Sequence, residues 1–170
     1  NIADNYFFIN RLLMDETGNG TFIIKGCTLG GEVKTLVGTN KLIIDDTKCN
    51  EKNINYCKGL VENQLVDCKY NADGEVTKII LPSDNPELGV LSNVTGIDNS
   101  NSVKTRYKSS PKVFFADGEA TVAITSNTKV LHVPSETLIS QGASLRDYCE
   151  SGSMSDFVND EYYSIKAYYT

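Results

Sequence analysis

His132 and five cysteines are the residues in this sequence whose types could support nucleophilic chemistry. A cysteine hydrolase needs a thiolate within hydrogen-bond reach of an imidazole, so the arrangement to weigh is Cys149 or Cys68 with His132 as base. No motif around either cysteine suggests a nucleophile elbow or an oxyanion hole. The simpler reading is small apolar filler, because free cysteine is among the most buried residue types. Cys27, Cys49, Cys57, Cys68 and Cys149 are also too few for a disulfide scaffold, and their odd number leaves at least one unpaired. None stands in a C-x-x-C pair, and with a single histidine a zinc site would need four thiolates at unfamiliar spacing. The expectation is five free thiols with no metal, nucleotide or other cofactor.

Carboxylate pairs could do glycosidic work, and Asp45 with Asp46 or Asp160 with Glu161 are the nearest candidates. Adjacent residues on a strand point to opposite faces, so neither pair can flank one substrate bond. Solvated turns account better for both. G-x-S-x-G, G-x-x-x-x-G-K-[ST], H-E-x-x-H and D-x-[DN]-x-[DN]-G are all missing. His132 alternates with Val130 on a predicted strand, which places its ring among half-buried neighbours. No catalytic, cofactor-binding or metal-ligating residue is therefore expected, and the chain does not read as an enzyme. Nine tyrosines and no tryptophan leave one candidate ligand or partner surface, Tyr162, Tyr163, Tyr168 and Tyr169, on which a sugar could stack. Carbohydrate modules rely more on tryptophan, so alternation of these tyrosines between core and surface of a strand is the preferred reading.

The elements that would position these residues are mostly strands. Asn5 to Met14 is a dense aromatic and aliphatic run stopped by Thr17, Gly18, Asn19 and Gly20. Thr21 to Thr28, Glu32 to Val37 and Lys41 to Asp45 repeat the format, with glycine-containing breaks at Gly30 and Gly31 and at Gly38 to Asn40, as in a meander. Asn50 to Leu60 departs from the rhythm. With Asn50 as cap, Ile54, Cys57 and Val61 at helical intervals and Gly59 near the end, it predicts one short helix. From Gln64 the period returns to two, placing Val66, Cys68 and Tyr70 inward and Asp67 and Lys69 outward. Asn71 to Gly74 then turns the chain into Glu75 to Leu81, the clearest hairpin in the sequence.

Two prolines within Pro82 to Pro86 remove backbone donors and mark a connection over 82–87. A weak strand around Leu88 to Val94 follows, then strands over Lys112 to Phe115, Ala120 to Ile124 and Thr128 to Val133. Gly142 to Gly152 reads as either a short helix or a loop. Asp160 to Tyr169 closes as one strand with Tyr163, Ile165, Ala167 and Tyr169 on one face. The recurrence of Ala-Asp-Gly-Glu at 72–75 and 116–119 reflects a shared turn preference rather than a duplication, since the flanks do not align. The fold expected is all-β, mainly antiparallel and meander- or barrel-like, with one short helix. It divides into an N-terminal subdomain over 1–81 and a C-terminal one over 88–170, apposed or integrated into a single domain.

With 170 residues, 40% of them apolar and 22% charged, the chain has ordinary globular composition and buries roughly 70% of its unfolded surface without a staple. Sixteen Lys and Arg against 22 Asp and Glu give a net charge of −6, which offers no electrostatic basis for holding nucleic acid or an anionic membrane. Apolar runs such as Leu42 to Ile44 are far short of the ~20 residues that span a bilayer. No basic start with an apolar stretch marks a signal peptide in Asn1 to Gly20. The missing initiator methionine and strand-like ends read as an excised fragment.

The block Gly59 to Val61 followed by Gln64 to Ile79, with the turn Asn71 Ala72 Asp73 Gly74 Glu75 at its centre, resembles a recurring segment of clostridial cell-surface proteins that carry surface-layer homology repeats. Tyr107 to Ser110, Thr128 to Pro134 and Tyr162 to Tyr169 are similar to later parts of the same region. From the first to the last, these pieces span somewhat more than half the chain, and their order carries the resemblance. It implies an exported, non-catalytic β module of a surface-layer type protein, working at the cell wall or cell surface with neighbouring domains or subunits as partners. A carbohydrate or cell-wall polysaccharide binding module and a phage structural protein domain are the alternatives.

Overall fold

A computed structural model of the chain describes residues 6–81, 89–91, 103–107, 112–116, 119–124, 129–134, 141–142, 149–156, 162–163 and 167–169. Its strands are Tyr6–Met14 (β1), Phe22–Thr28 (β2), Val33–Ile44 (β3), Thr47–Lys48 (β4), Gln64–Tyr70 (β5), Val76–Ile80 (β6) and Gly89–Leu91 (β7). Val103–Tyr107 (β8), Lys112–Ala116 (β9), Glu119–Ile124 (β10), Val130–His132 (β11), Glu150–Gly152 (β12), Tyr162–Tyr163 (β13) and Ala167–Tyr169 (β14) follow. The α-helix among the described residues is Ile54–Val61 (α1), with a 3-10 turn at Met154–Asp156. An all-β fold results: β3 alone has 12 residues and α1 has 8. The chain divides into two compact units, Asn1–Asn85 with Leu131–Ser151, and Pro86–Val130 with Gly152–Thr170.

In the first unit β1 pairs antiparallel with both β2 and β5, β2 with β3, and β5 with β6, while β3 and β6 pair in parallel. These pairings close a ring of five strands, and β4 extends β3 outside it. With α1 in the connection between the third and fourth strands of the ring, this is the topology of the five-stranded Greek-key barrel called the OB-fold. The ring is staggered, as closure requires. Through β2, β3 and β6 the pairings run Met14 to Phe22, Gly38, Val76 and Tyr70, whereas directly across β1 and β5 it is Tyr6 that faces Asp67.

Phe7, Ile9, Leu12, Phe22, Ile24, Leu42, Ile44, Val66, Cys68, Val76 and Ile79 fill the barrel, and Cys57 and Val61 of α1 close onto them. The inward positions of β1 change parity between Ile9 and Leu12. A register shift between Ile9 and Arg11 supplies the extra residue that makes this possible. β1 is apolar on its other face as well, because Phe8 belongs to a second cluster with Cys27 and Cys149, against which Val33, Leu65 and Leu131 pack. Of the returning segment, Leu131 and Cys149 thus lie against the outer wall of the barrel. Gly31 marks how closely it lies: at φ +83, an added Cβ would stand 2.5 Å from the backbone nitrogen of Ser151.

Three local expectations are corrected. The helix begins at Ile54, not Asn50, and Asn50 instead forms a turn in which its Oδ1 accepts from the N–H groups of Lys52 and Asn53 at 2.8 and 3.1 Å. The break foreseen at Gly38 to Asn40 lies inside the single strand β3. Gly38 is packed so close to Phe22 that a Cβ would meet the Phe22 Cβ at 3.1 Å, and the register against β6 shifts between Gly38 and Ile43. Finally, Val66 and Cys68 are fully buried as foreseen, but Tyr70 is 40% exposed. A register shift between Lys69 and Tyr70 ends the alternation one residue early. The hairpin at Asn71 forms as predicted: its Oδ1 accepts from the N–H groups of Asp73 and Glu75, and Gly74 takes φ +80.

The second unit is described by its strands. β10, β9, β8 and β13 form an antiparallel sheet in that order, and β14 pairs antiparallel with β7. The turns expected at Asp117 and at Ser126, and the connection over 82–87, lie outside the described residues. Of the segment Gly142 to Gly152, residues Glu150–Gly152 form β12, paired with β11, and 143–148 lie outside.

Candidate functional site

The cysteines prove to be the chemistry of the first unit, and they sort into three environments. Cys27 and Cys149 form a disulfide across 122 residues of sequence, so the expectation of five free thiols is corrected to three, Cys49, Cys57 and Cys68. The pairing was not readable from spacing, because nothing along the chain indicates that Cys149 returns to the barrel wall. Cys27 alternates with Lys25 on the outward face of β2, a position normally wet. It is buried only because Cys149 and its neighbours cover it.

The disulfide disposes of one half of the hydrolase arrangement, since the sulfur of Cys149 is covalently occupied. Cys68 is fully buried inside the barrel. Burial, with the charge of Asp67 acting in the same direction, pushes its thiol up to about 12, and a hydrogen bond from Tyr70 only partly opposes this. At neutral pH it is a protonated core residue and a poor nucleophile. His132 lies on β11 with its side chain half-buried, as the alternation with Val130 predicts.

Cys49 and Cys57 form the third environment. Cys49 follows β4 and Cys57 lies on the inward face of α1, and their sulfurs stand 2.9 Å apart, both buried. The nine residues that carry them are tied by their own side chains. Asn53 accepts from the N–H of Asn50 at 2.8 Å and donates from Nδ2 to the carbonyl of Lys48 at 2.9 Å, while the Cys49 N–H donates to the carbonyl of Leu42. The Cys57 thiol also approaches Asn53 Oδ1 at 3.5 Å. Burial, and then the thiol of Cys57 beside it, hold the Cys49 thiol protonated well above the usual cysteine range. A helical spacing of Cys57 with Ile54 and Val61 was visible in the sequence, but not its meeting with Cys49.

Of the carboxylates, Asp45 is structural. At φ 52 it ends β3, and its Oδ1 accepts from the N–H of Leu81 at 3.0 Å. Asp160 and Glu161 lie outside the described residues. The tyrosines foreseen on one closing strand fall on two. Tyr162 and Tyr163 form β13, paired with Lys104 and Val103 of β8, while Tyr168 and Tyr169 belong to β14, paired with Val90 and Gly89 of β7. Among the described residues β13 is an end strand of its sheet.

Among the described residues no group of three or more His, Cys, Asp or Glu is placed to hold a metal ion, and no helix is long and apolar enough to cross a membrane. Comparison of the chain with protein-family models, curated proteins and solved structures finds no match.

Proposed function

We propose that the chain is a non-catalytic structural module of a bacterial cell-surface assembly of the surface-layer type, working outside the cytoplasm. The observation that carries this reading is the Cys27–Cys149 bond. Stable structural disulfides belong to oxidising, extracytoplasmic compartments, where a cross-link that fastens a distant segment to a barrel wall is retained. The resemblance of Gln64 to Ile79 and of the later blocks to clostridial surface proteins points the same way. Its partners are neighbouring domains or subunits. Strand ends such as β13, which closes one side of its sheet, offer backbone groups to them, and Tyr162, Tyr163, Tyr168 and Tyr169 are carried on the strands concerned. Protease treatment of intact cells bearing the protein tests this. Release of its peptides, including the cross-linked Cys27–Cys149 pair, from unlysed cells is expected. Recovery only after lysis, with all five thiols reduced, overturns it.

A second reading, a carbohydrate or cell-wall polysaccharide binding module, is favoured by the barrel topology, because OB-type barrels bind oligosaccharides and oligonucleotides across their second and third strands and the adjoining loops. This is an argument from fold alone. The net charge of −6 favours the neutral ligand of the two. Saturable binding of a purified wall polysaccharide in a calorimetric titration would establish it over the first.

A further inference from the structure

We propose that Cys49 and Cys57 are a redox-active dithiol, oxidised to a second intrachain disulfide that fastens α1 to the barrel. The inference stands on the geometry of the pair and is independent of the assembly the protein serves. At 2.9 Å, the sulfurs need to approach by less than about 1 Å to reach bonding distance. The intervening loop already holds them in place, since the Asn50 and Asn53 side chains satisfy its backbone groups in the reduced form. A metal would not suit them. Two thiolates on one tetrahedral zinc, at about 2.3 Å each, stand about 3.8 Å apart, and a structural site requires further ligands. Among the described residues none is placed to supply them. Cys68, the remaining free thiol, is engaged with Tyr70 instead.

The oxidant is a low-molecular-weight disulfide of the glutathione type. One thiol of the pair loses its proton and attacks a sulfur of that disulfide, forming a mixed disulfide and expelling one thiolate, which is protonated. The second protein thiol, deprotonated in turn, attacks the protein sulfur of the mixed disulfide and expels the other small thiol. Two protein thiols thus lose two electrons and two protons, and one small disulfide becomes two thiols. Access comes from local opening of α1, which has 8 residues and is held by Cys57 and Val61 with partly buried Ile54 and Leu60. Closing the bond removes that opening, so oxidation converts a dynamic plug into a fixed one.

The test equilibrates the full 170-residue chain in a series of reduced-to-oxidised glutathione buffers, quenches with acid, alkylates in denaturant and maps the peptides by mass spectrometry. A linked Cys49–Cys57 peptide, about 2 Da lighter than the reduced pair, is expected, with Cys68 the remaining alkylated cysteine. Amide exchange of Ile54–Val61 should slow roughly tenfold or more on oxidation, a change absent in Cys49→Ser and in Cys57→Ser. Should either variant fail to fold, mapping of the unmodified chain decides alone. Persistence of both thiols throughout a series in which Cys27–Cys149 stays bonded overturns the proposal, as does a linkage of either cysteine to Cys68.

Discussion

The carboxylate of Glu62 accepts a hydrogen bond from the backbone N–H of Leu12 at 2.9 Å, joining the end of α1 to the residue that resumes the core face of β1 after its bulge. Next to it, the N–H of Asn63, a residue at φ 62, donates to the carbonyl of Ile9 at 2.7 Å. A bulge takes backbone groups out of the ladder, and the helix terminus satisfies them. Glu62→Ala should therefore cost about 1–3 kcal/mol, and Glu62→Gln, which keeps an acceptor, less, as read from urea unfolding midpoints. Equal losses from both would show that charge, and not the acceptor, is what the site uses.

Thiol titration of the denatured, unreduced chain should return three free thiols, falling to one when Cys49 and Cys57 are linked. Cys149→Ser should lower the stability of the first unit by up to about 4–5 kcal/mol, the chain-entropy value for a loop spanning 122 residues. A shift in melting temperature on mild reduction of the unmodified chain provides the same reading without a substitution.

Gly18 and Gly31 make a matched pair. Both take φ +83, but a Cβ at Gly18 meets nothing within 4 Å, whereas at Gly31 it runs into the backbone of Glu150 and Ser151. Gly18→Ala should cost about 1 kcal/mol, the conformational penalty alone. Gly31→Ala adds a collision with main chain, which side-chain rotation cannot relieve, and should cost about 2 kcal/mol or more in addition. Limited proteolysis should show the excess as earlier cleavage within 131–151.

Stability should fall with alkalinity in a window set by Cys68 and Tyr70. Their folded values are pushed up to about 12 from ordinary values of 9.0 and 10.0, by burial first in each case. The folded state then holds more protons than the unfolded chain between about pH 9 and 12. Stability from these groups is therefore complete below pH 9 and is lost as pH rises towards 12. Denaturation curves at stepped pH check this, and Tyr70→Phe should flatten the upper part of the decline.

Light scattering over a concentration series tests the strand edges of the second unit. A monomer or weak dimer is expected, with any self-association reduced by Tyr163→Lys on β13 and Tyr169→Lys on β14. A tight oligomer indifferent to both would place the contact elsewhere.

Several strands of the first unit and its turn at Asn71 were legible in the sequence because they depend on local rules. Alternation revealed β5 through Val66 and Cys68, the Asn71 to Gly74 turn needs only an acceptor side chain and one left-handed residue, and the spacing of Ile54, Cys57 and Val61 indicated a helix, though with its start placed four residues early. The helix start failed on a local turn at Asn50, and elsewhere a distant partner decided. Gly38 reads as a break until Phe22 lies against it, and Tyr70 reads as core until the shift against β6 turns it outward. The apolar outer face of β1 had no explanation within its own segment. It meets Cys149 and Leu131, which the chain brings back only after leaving the unit. The same holds for the cysteines. Their number guarantees an odd thiol, but five cysteines admit many pairings: Cys27 meets Cys149 only because the chain returns to the barrel 122 residues later, whereas Cys49 is set beside Cys57 by the short loop and helix turn between them. The Cys27–Cys149 contact is decided by the whole chain, since it depends on the loop closure and packing that bring remote segments together.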